Sequence, residues 1–469
     1  MRELTFRGVV LGGFITLLFT AANVYLGLKV GLTFATSIPA AVISMALLRI
    51  AGNSNILENN IVQTIASAAG TLAAIIFVLP GLVMIGWWQG FPYWTTAAVC
   101  AIGGTLGVMY SIPLRRALVT GSDLPYPEGV AAAEVLKVGD SSGGAADNRS
   151  GVRIISLGSV ASAGFSLLAS LKVIGNSVSG ALRIGSGGTM FGASLSLALI
   201  GVGHLVGLTV GIAMLVGLAI SYGVLLPIRT AGQLPPDLPL LKAVGSIFSS
   251  DVRFIGAGTM AIAAVWTLVK ITTPVVKGIQ GALVSARARR QGTAVDVTER
   301  DIPITWVAVV VVVSLIPIGF LLWDFASGTA IHHGMVGIIT TSIAFVFVVG
   351  LLVAAVCGYM AGLIGSSNSP ISGVGIIVVI AAALLIKLAF GAATTEESQS
   401  LVAYTLFTAA VVFGVATISN DNLQDLKTGQ LVGATPWKQQ VALIIGVAFG
   451  SAIIPPVLDL MQTAFGFAG

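Results

Sequence analysis

The chain has 469 residues, of which 56% are hydrophobic and 9% charged, with glycine at 58 positions and a mean hydropathy of +1.00. Soluble domains carry roughly a quarter charged residues, so a water-exposed globule is excluded. Lys and Arg number 23 against 18 Asp and Glu. The excess sits in loops, where it bears on membrane orientation and anionic lipid headgroups, and no basic stripe interleaved with aromatics offers a nucleic-acid surface.

Apolar runs of about 20 residues, the length a bilayer demands, recur from end to end. Backbone groups in lipid need partners within the chain, and runs of this length, in place of alternating segments of about 10 residues, mean helices and not a barrel. The expected fold class is all-α: one polytopic integral membrane domain over residues 1–469, a helical bundle with one or more broken or re-entrant segments. In chain order, spans are predicted near 9–30, 32–48, 64–86, 93–114, 154–174, 190–228, 254–273, 303–322, 335–357, 373–390, 401–418 and 440–458. The N-terminus runs straight into the first of these and reads as mature sequence. Cys100 and Cys357 lie in separate apolar runs and read as small buried hydrophobes.

The run at 190–228 is too long for one span and has Gly201, Gly203 and Gly207 near its middle. Splitting it at Gly207, with the N-terminus cytoplasmic, gives 13 spans and places 16 of the 23 Lys and Arg inside. These include Arg115 and Arg116 in a cytoplasmic loop over 115–153 and Arg287, Arg289 and Arg290 in another over 274–302. Without the split the tally is 12 against 11, which is no bias, so the positive-inside rule selects the split. Trp87, Trp88, Phe91, Tyr93 and Trp94 then fall outside at headgroup level, where amphipathic rings belong, and the C-terminus also falls outside.

Polar residues abutting apolar spans are the informative ones, because a charge in hydrocarbon is costly and usually faces a cavity. Three clusters stand out. The first runs from Asn53 through Glu58, Asn59, Asn60, Gln63 and Ser67 into the small-residue start of the third span; on a helix, Asn59, Asn60, Gln63 and Ser67 share a face. The second, Gly362-Leu-Ile-Gly-Ser-Ser-Asn368-Ser369-Pro370-Ile-Ser-Gly373, interrupts two apolar runs, and such backbone is tolerated at membrane depth only where it is buried in protein or lines a cavity. The third holds Asn420, Asp421, Asn422, Gln424 and Asp425, two carboxylates four residues apart with amides between them. Each has a blander alternative: a helix cap, an interhelical turn and an exposed helical turn, respectively. Asn23, Tyr25 and Lys29, then Glu128, His332, His333 and Asp459 are weaker candidates. No P-loop, nucleophile elbow or CxxC is present.

The stretches RELTFRGVVLGGFITLLFTAANVYLGLKVGLTFATSIPAA, NILENNIVQTIASAAG, LPYPEGVAAAEVL, GLIGSSNSPISG and NDNLQDLKTGQLVGATPWKQQ, in this order and covering the chain from end to end, resemble the oligopeptide transporter (OPT) family, most nearly its bacterial members. The resemblance implies a secondary transporter of the bacterial inner membrane that imports short peptides, or metal bound to amino-acid-like or siderophore chelators, with protons. It also implies about 16 spans, so the chain is expected to be a fragment or a short variant lacking the C-terminal helices. At Ser369 the family is expected to read Asn before Pro.

The expected substrate contacts are Asn23, Tyr25, Asn59, Asn60, Gln63, Asn368, Ser369, Asn420, Asn422 and Gln424, mostly neutral groups that donate to and accept from peptide or chelate. Glu58, Asp421 and Asp425 are the expected proton-coupling residues, since a carboxyl in an apolar setting can titrate near neutral pH. The expected partners are the peptide or metal-chelate substrate, protons and the lipid bilayer, with a homo-oligomer left open; no cofactor, resident metal or catalytic residue is expected. The alternatives are a passive channel or metal-ion permease and, behind it, a membrane-embedded enzyme, for which no activated nucleophile is evident.

Overall fold

The computed structural model describes residues 2–30, 33–52, 54–140, 177–194, 208–235, 237–263, 296–367, 369 and 371–466, together with scattered positions between 150 and 273. Residues 1–149 and 264–469 form one compact unit and residues 150–263 another. The first begins with α1 (Phe6–Val30), α2 (Ser37–Ile50) and α3 (Ile56–Leu72), which continues through a 3-10 stretch, Ala73–Phe77, to α4 (Pro80–Met84). Next come α5 (Tyr93–Arg115), extended by a π-wound turn at Arg116–Thr120, and α6 (Pro127–Asp140).

In the second unit an antiparallel hairpin, β1 (Ser177–Ile184) and β2 (Gly187–Ser194), precedes α7 (Leu208–Leu218), α8 (Leu226–Thr230) and α9 (Leu240–Ile247). The two-residue turn places Gly185 at φ +58, the backbone state that tight hairpins require. The first unit resumes with α10 (Ile304–Ser327), α11 (Met335–Ile364), α12 (Ile371–Phe390), α13 (Thr395–Val432) and α14 (Pro436–Phe465).

Among the described residues, nine helical segments are long and apolar enough to cross a membrane, and α2 is a shorter apolar helix. The fold is therefore the expected all-α polytopic bundle, with different boundaries. The third expected span starts eight residues earlier, at Ile56, and the one expected over 401–418 is part of a 38-residue helix. Residues 190–194, expected to open a span, pair in the hairpin instead. Most of the expected span at 154–174, six of the twenty residues of that at 254–273 and most of the loop at 274–302 lie outside the described residues.

Local signals explain the long helices. Asn55 caps α3 by accepting from the Leu57 and Glu58 amides. Thr394 and Glu397 form a reciprocal capping box at the start of α13, satisfying amides that have no intrahelical partner. Gly433, at φ +78, ends it, since a left-handed residue closes a helix most cheaply when it lacks a β-carbon. Helix α13 is the centre of the first unit and packs on α3, α5, α6, α11 and α12. It crosses α5 backbone to backbone at Gly103 and Gly414: a β-carbon on Gly103 would lie 2.7 Å from the Val411 carbonyl oxygen.

The two ends of this unit differ chemically. At one, Arg115 and Arg116 bind Asp301 at 3.2 and 2.9 Å, Glu3 binds Thr435 and Lys438, Arg7 reaches the Gly52 carbonyl and Arg49 the Gly139 carbonyl. At the other, Trp87 stacks on Phe325 with centroids 6.0 Å apart, Tyr25 meets Phe465 and Asp459 accepts the Phe91 amide.

Candidate functional site

The N-terminal part of α3 is polar yet buried: Glu58, Asn59, Asn60, Gln63, Thr64 and Ser67 are all at most 4% exposed. Glu58 is gripped by Arg7, whose Nε and Nη2 donate to its two oxygens at 2.7 and 2.6 Å, and by the Thr5 hydroxyl at 2.5 Å. Asn59 turns to α2, accepting from the Ser44 hydroxyl at 2.7 Å. Asn60 donates to Gln63 and accepts from Gln439 of α14. Gln63 in turn donates to Asp425 of α13.

Asp421 and Asp425 lie one turn apart on α13 and are fully buried. Asp421 Oδ2 accepts from the Ser67 and Thr71 hydroxyls at 2.5 and 2.6 Å, and its Oδ1 from the Ser366 hydroxyl at 2.7 Å. Asp425 Oδ1 accepts from Gln63 and, at 3.2 Å, from the Ser37 hydroxyl, while its Oδ2 has no partner among the described residues. Ser37 and Ser67 are themselves 2.9 Å apart. No salt bridge reaches either carboxylate among the described residues. Buried carboxylates ordinarily carry a paired cation.

A third carboxylate joins from α6. Glu128 Oε2 accepts the Ser366 amide at 2.9 Å and contacts the Ser366 hydroxyl, and Oε1 accepts the Ser367 amide at 3.1 Å. Ser366 and Ser367 belong to the break between α11 and α12, which opens at Gly365 with φ +92 and ψ 153, a conformation essentially confined to glycine. The break is held inside the protein: Asn420 donates to the Ser366 carbonyl at 3.0 Å, and Ser367 accepts the Ala35 amide at 2.9 Å. Burial, aided by the charge of Asp421, pushes the Glu128 carboxyl above its ordinary range against the pull of its Ser366 and Ser367 hydrogen bonds.

The expected residues therefore separate. Gln63, Asn420, Asp421 and Asp425 come together, with Asn60 one hydrogen bond behind. Asn422 faces α5, donating to Ser111 at 3.4 Å. The side-chain oxygens of Asn420 and Asn422 are buried without partners among the described residues. Gln424 is spent on backbone, accepting from Gly129 N at 2.7 Å and donating to the Ala361 carbonyl at 2.6 Å. Asn23 likewise fastens Phe34 and Gly70. Tyr25 is exposed beside Phe465, Ser369 turns the break through its amide to the Ser366 carbonyl, and Asn368 lies outside the described residues. Glu128, a weak candidate in sequence, and Ser37 and Ser366, which carried no signal of their own, are the additions.

Three of the motifs quoted above, around Glu128, Ser366 and Asp421, thus meet at one buried centre, and a family model described as OPT oligopeptide transporter protein matches residues 3–469. The chain belongs to the OPT family. A Haemophilus influenzae protein named "Putative oligopeptide transporter" is 46% identical over 455 residues, which are 95% of this chain and 71% of that protein. Within this OPT chain the first two motifs also join the centre, through Ser37 beside Asp425 and through Gln63 and Ser67 of α3.

Proposed function

We propose that this chain is a secondary transporter that imports short oligopeptides across the bacterial plasma membrane together with protons, its N-terminus in the cytoplasm. Asp421 and Asp425 carry the protons. The observation that supports this most is that both carboxylates are buried a turn apart and held by hydroxyl and amide donors. An ion pair pins a carboxylate in its charged form; neutral donors favour that form too, but they bring no counter-charge, so the buried charge stays uncompensated and a proton can still be taken up. Glu58, gripped by Arg7, leaves the relay on this reading and anchors the entry of α3.

Asn420 and Asn422 supply the substrate contacts, because their unpartnered oxygens can accept N–H groups of a peptide backbone. An amino-acid-like metal chelate presents similar groups, and experiment separates the two. Proteoliposomes with an alkaline interior are expected to accumulate labelled di- and tripeptides, and a protonophore to abolish that accumulation. Equal uptake with and without the gradient would remove proton coupling. Uptake of a ferric or cupric amino-acid chelate with no uptake of peptides would transfer the substrate assignment to chelates.

A further inference from the structure

We propose that Glu128 is the third carboxyl of a proton path through this protein, joined to Asp421 by the Ser366 hydroxyl and, through Ser67 and Ser37, to Asp425; this rests on the proton-coupled reading above and names its route. The contacts run without a gap. Glu128 Oε2 meets Ser366 Oγ, which lies 2.7 Å from Asp421 Oδ1. Asp421 Oδ2 is 2.5 Å from Ser67 Oγ, Ser67 Oγ is 2.9 Å from Ser37 Oγ, and Ser37 Oγ is 3.2 Å from Asp425 Oδ1.

Counting hydrogens shows why a proton belongs there. A serine hydroxyl carries one hydrogen, yet Ser366 Oγ sits between two carboxylates. If both were ionised, one of its two contacts would set oxygen lone pairs against each other. One added proton removes the conflict: Glu128 donates its O–H to Ser366 Oγ, and Ser366 donates to Asp421. Transfer then balances. The Glu128 O–H bond breaks as Ser366 Oγ takes that proton, the former Ser366 proton passes to Asp421 Oδ1, and a negative charge moves from Asp421 to Glu128. Rotation of the Asp421 carboxyl presents the proton to Ser67, and the same handover through Ser67 and Ser37 delivers it to Asp425. Asp425 Oδ2, without a partner among the described residues, is where the path meets its proton donor or acceptor.

Among the described residues, the cations around Glu128 are bonded elsewhere. Around Glu128, α13 carries Asp421, Asp425 and Lys427, α3 carries Glu58 bonded to Arg7, α2 carries Arg49, and α6 itself carries Glu134, Lys137 and Asp140; α11 carries no charged residue. Lys427 is bonded to Gln430, Arg49 to the Gly139 carbonyl and Lys137 to Glu134. The path is also tied to the fold, because Glu128 accepts both backbone amides of the break between α11 and α12. Gain of a proton weakens that hold, since a charged acceptor makes the stronger hydrogen bonds.

Infrared spectra of the full chain in detergent, recorded in H2O and D2O, test the path without substrate. The wild type is expected to show a protonated-carboxyl C=O band at neutral pH. Glu128→Gln should reduce its area, Ser366→Ala should shift its frequency, and Ser366→Thr, which keeps the hydroxyl, should restore it. A wild type without the band, an area that survives Glu128→Gln, or a frequency that survives Ser366→Ala overturns the path. In proteoliposomes, gradient-driven peptide uptake should fall at least tenfold in Glu128→Gln. Wild-type uptake that ignores the gradient defeats proton coupling itself, and with it the path. Coupled wild-type uptake with Glu128→Gln within twofold of it defeats the path alone.

Discussion

Asn23 and Gln424 look in sequence like groups waiting for a substrate, since each is an amide in or beside an apolar run. In the structure both amides serve the backbone: Asn23 makes three hydrogen bonds to Phe34 and Gly70. Sequence shows that a buried amide needs partners but not which partners it finds, because these come from segments far away along the chain. Asn23→Leu is expected to cost about 1–3 kcal/mol by leaving buried backbone groups unpaired, read as a lower melting temperature in detergent. Glu128 gives a pH signature. Its carboxyl is raised in the folded state, so the folded protein holds a proton that the unfolded chain has released. Stability from this group is therefore present at low pH and declines as pH rises from about 4.5, the ordinary value, through the raised one. The melting temperature of Glu128→Gln, compared with wild type across that range, should show a shallower decline.

At the scale of elements, the existence of the helices was legible and their ends were not. The apolar runs of α5, α11, α12 and α14 sit close to where hydropathy places them. Hydropathy ends α13 at 418 because residues 419–428 are mostly polar, and it starts α3 late for the same reason. Hydropathy cannot distinguish a polar face turned to water from one turned to another helix, and here α3, α6 and the α11–α12 break cover that face. Hydropathy does not reveal the hairpin at 177–194, because its Ser- and Gly-rich strands adjoin a long apolar run. Two glycines are sensitive points. Gly365→Ala is expected to destabilise by about 1–3 kcal/mol, the cost of a non-glycine residue in that backbone region, and to disturb the Glu128 contacts, since its β-carbon would lie 3.1 Å from Oε1. Gly103→Val should prevent the close α5–α13 crossing, read as loss of monodisperse protein in gel filtration.

For the whole molecule, charge counting implies alternation of ends, and the structure gathers its charged clamps at one end of the first unit and the aromatic belt at the other. Which end faces the cytoplasm is a prediction. Both native cysteines are buried, so a single introduced cysteine reports its side. An impermeant thiol reagent added to intact cells is expected to label Gln89→Cys and to spare Asp140→Cys until the membrane is opened; the reverse pattern would invert the topology. The thirteen spans follow from loop charges in segments that fall partly outside the described residues, whereas five motifs in order carry the family resemblance, which the family match over residues 3–469 bears out.

The bonds from Glu3 to Thr435 and Lys438 set an order of events during synthesis. Arg7 can meet Glu58 as soon as the first three helices exist, but Glu3 must wait for some 430 further residues. At about 5–20 residues per second, that wait is on the order of 20–90 s. Once α5 has been made, the groove that α14 will fill beside α1, α3 and α5 stands open for the rest of that wait, accessible to rival helices. Closure of this groove comes only when α14 docks and Thr435 and Lys438 reach Glu3.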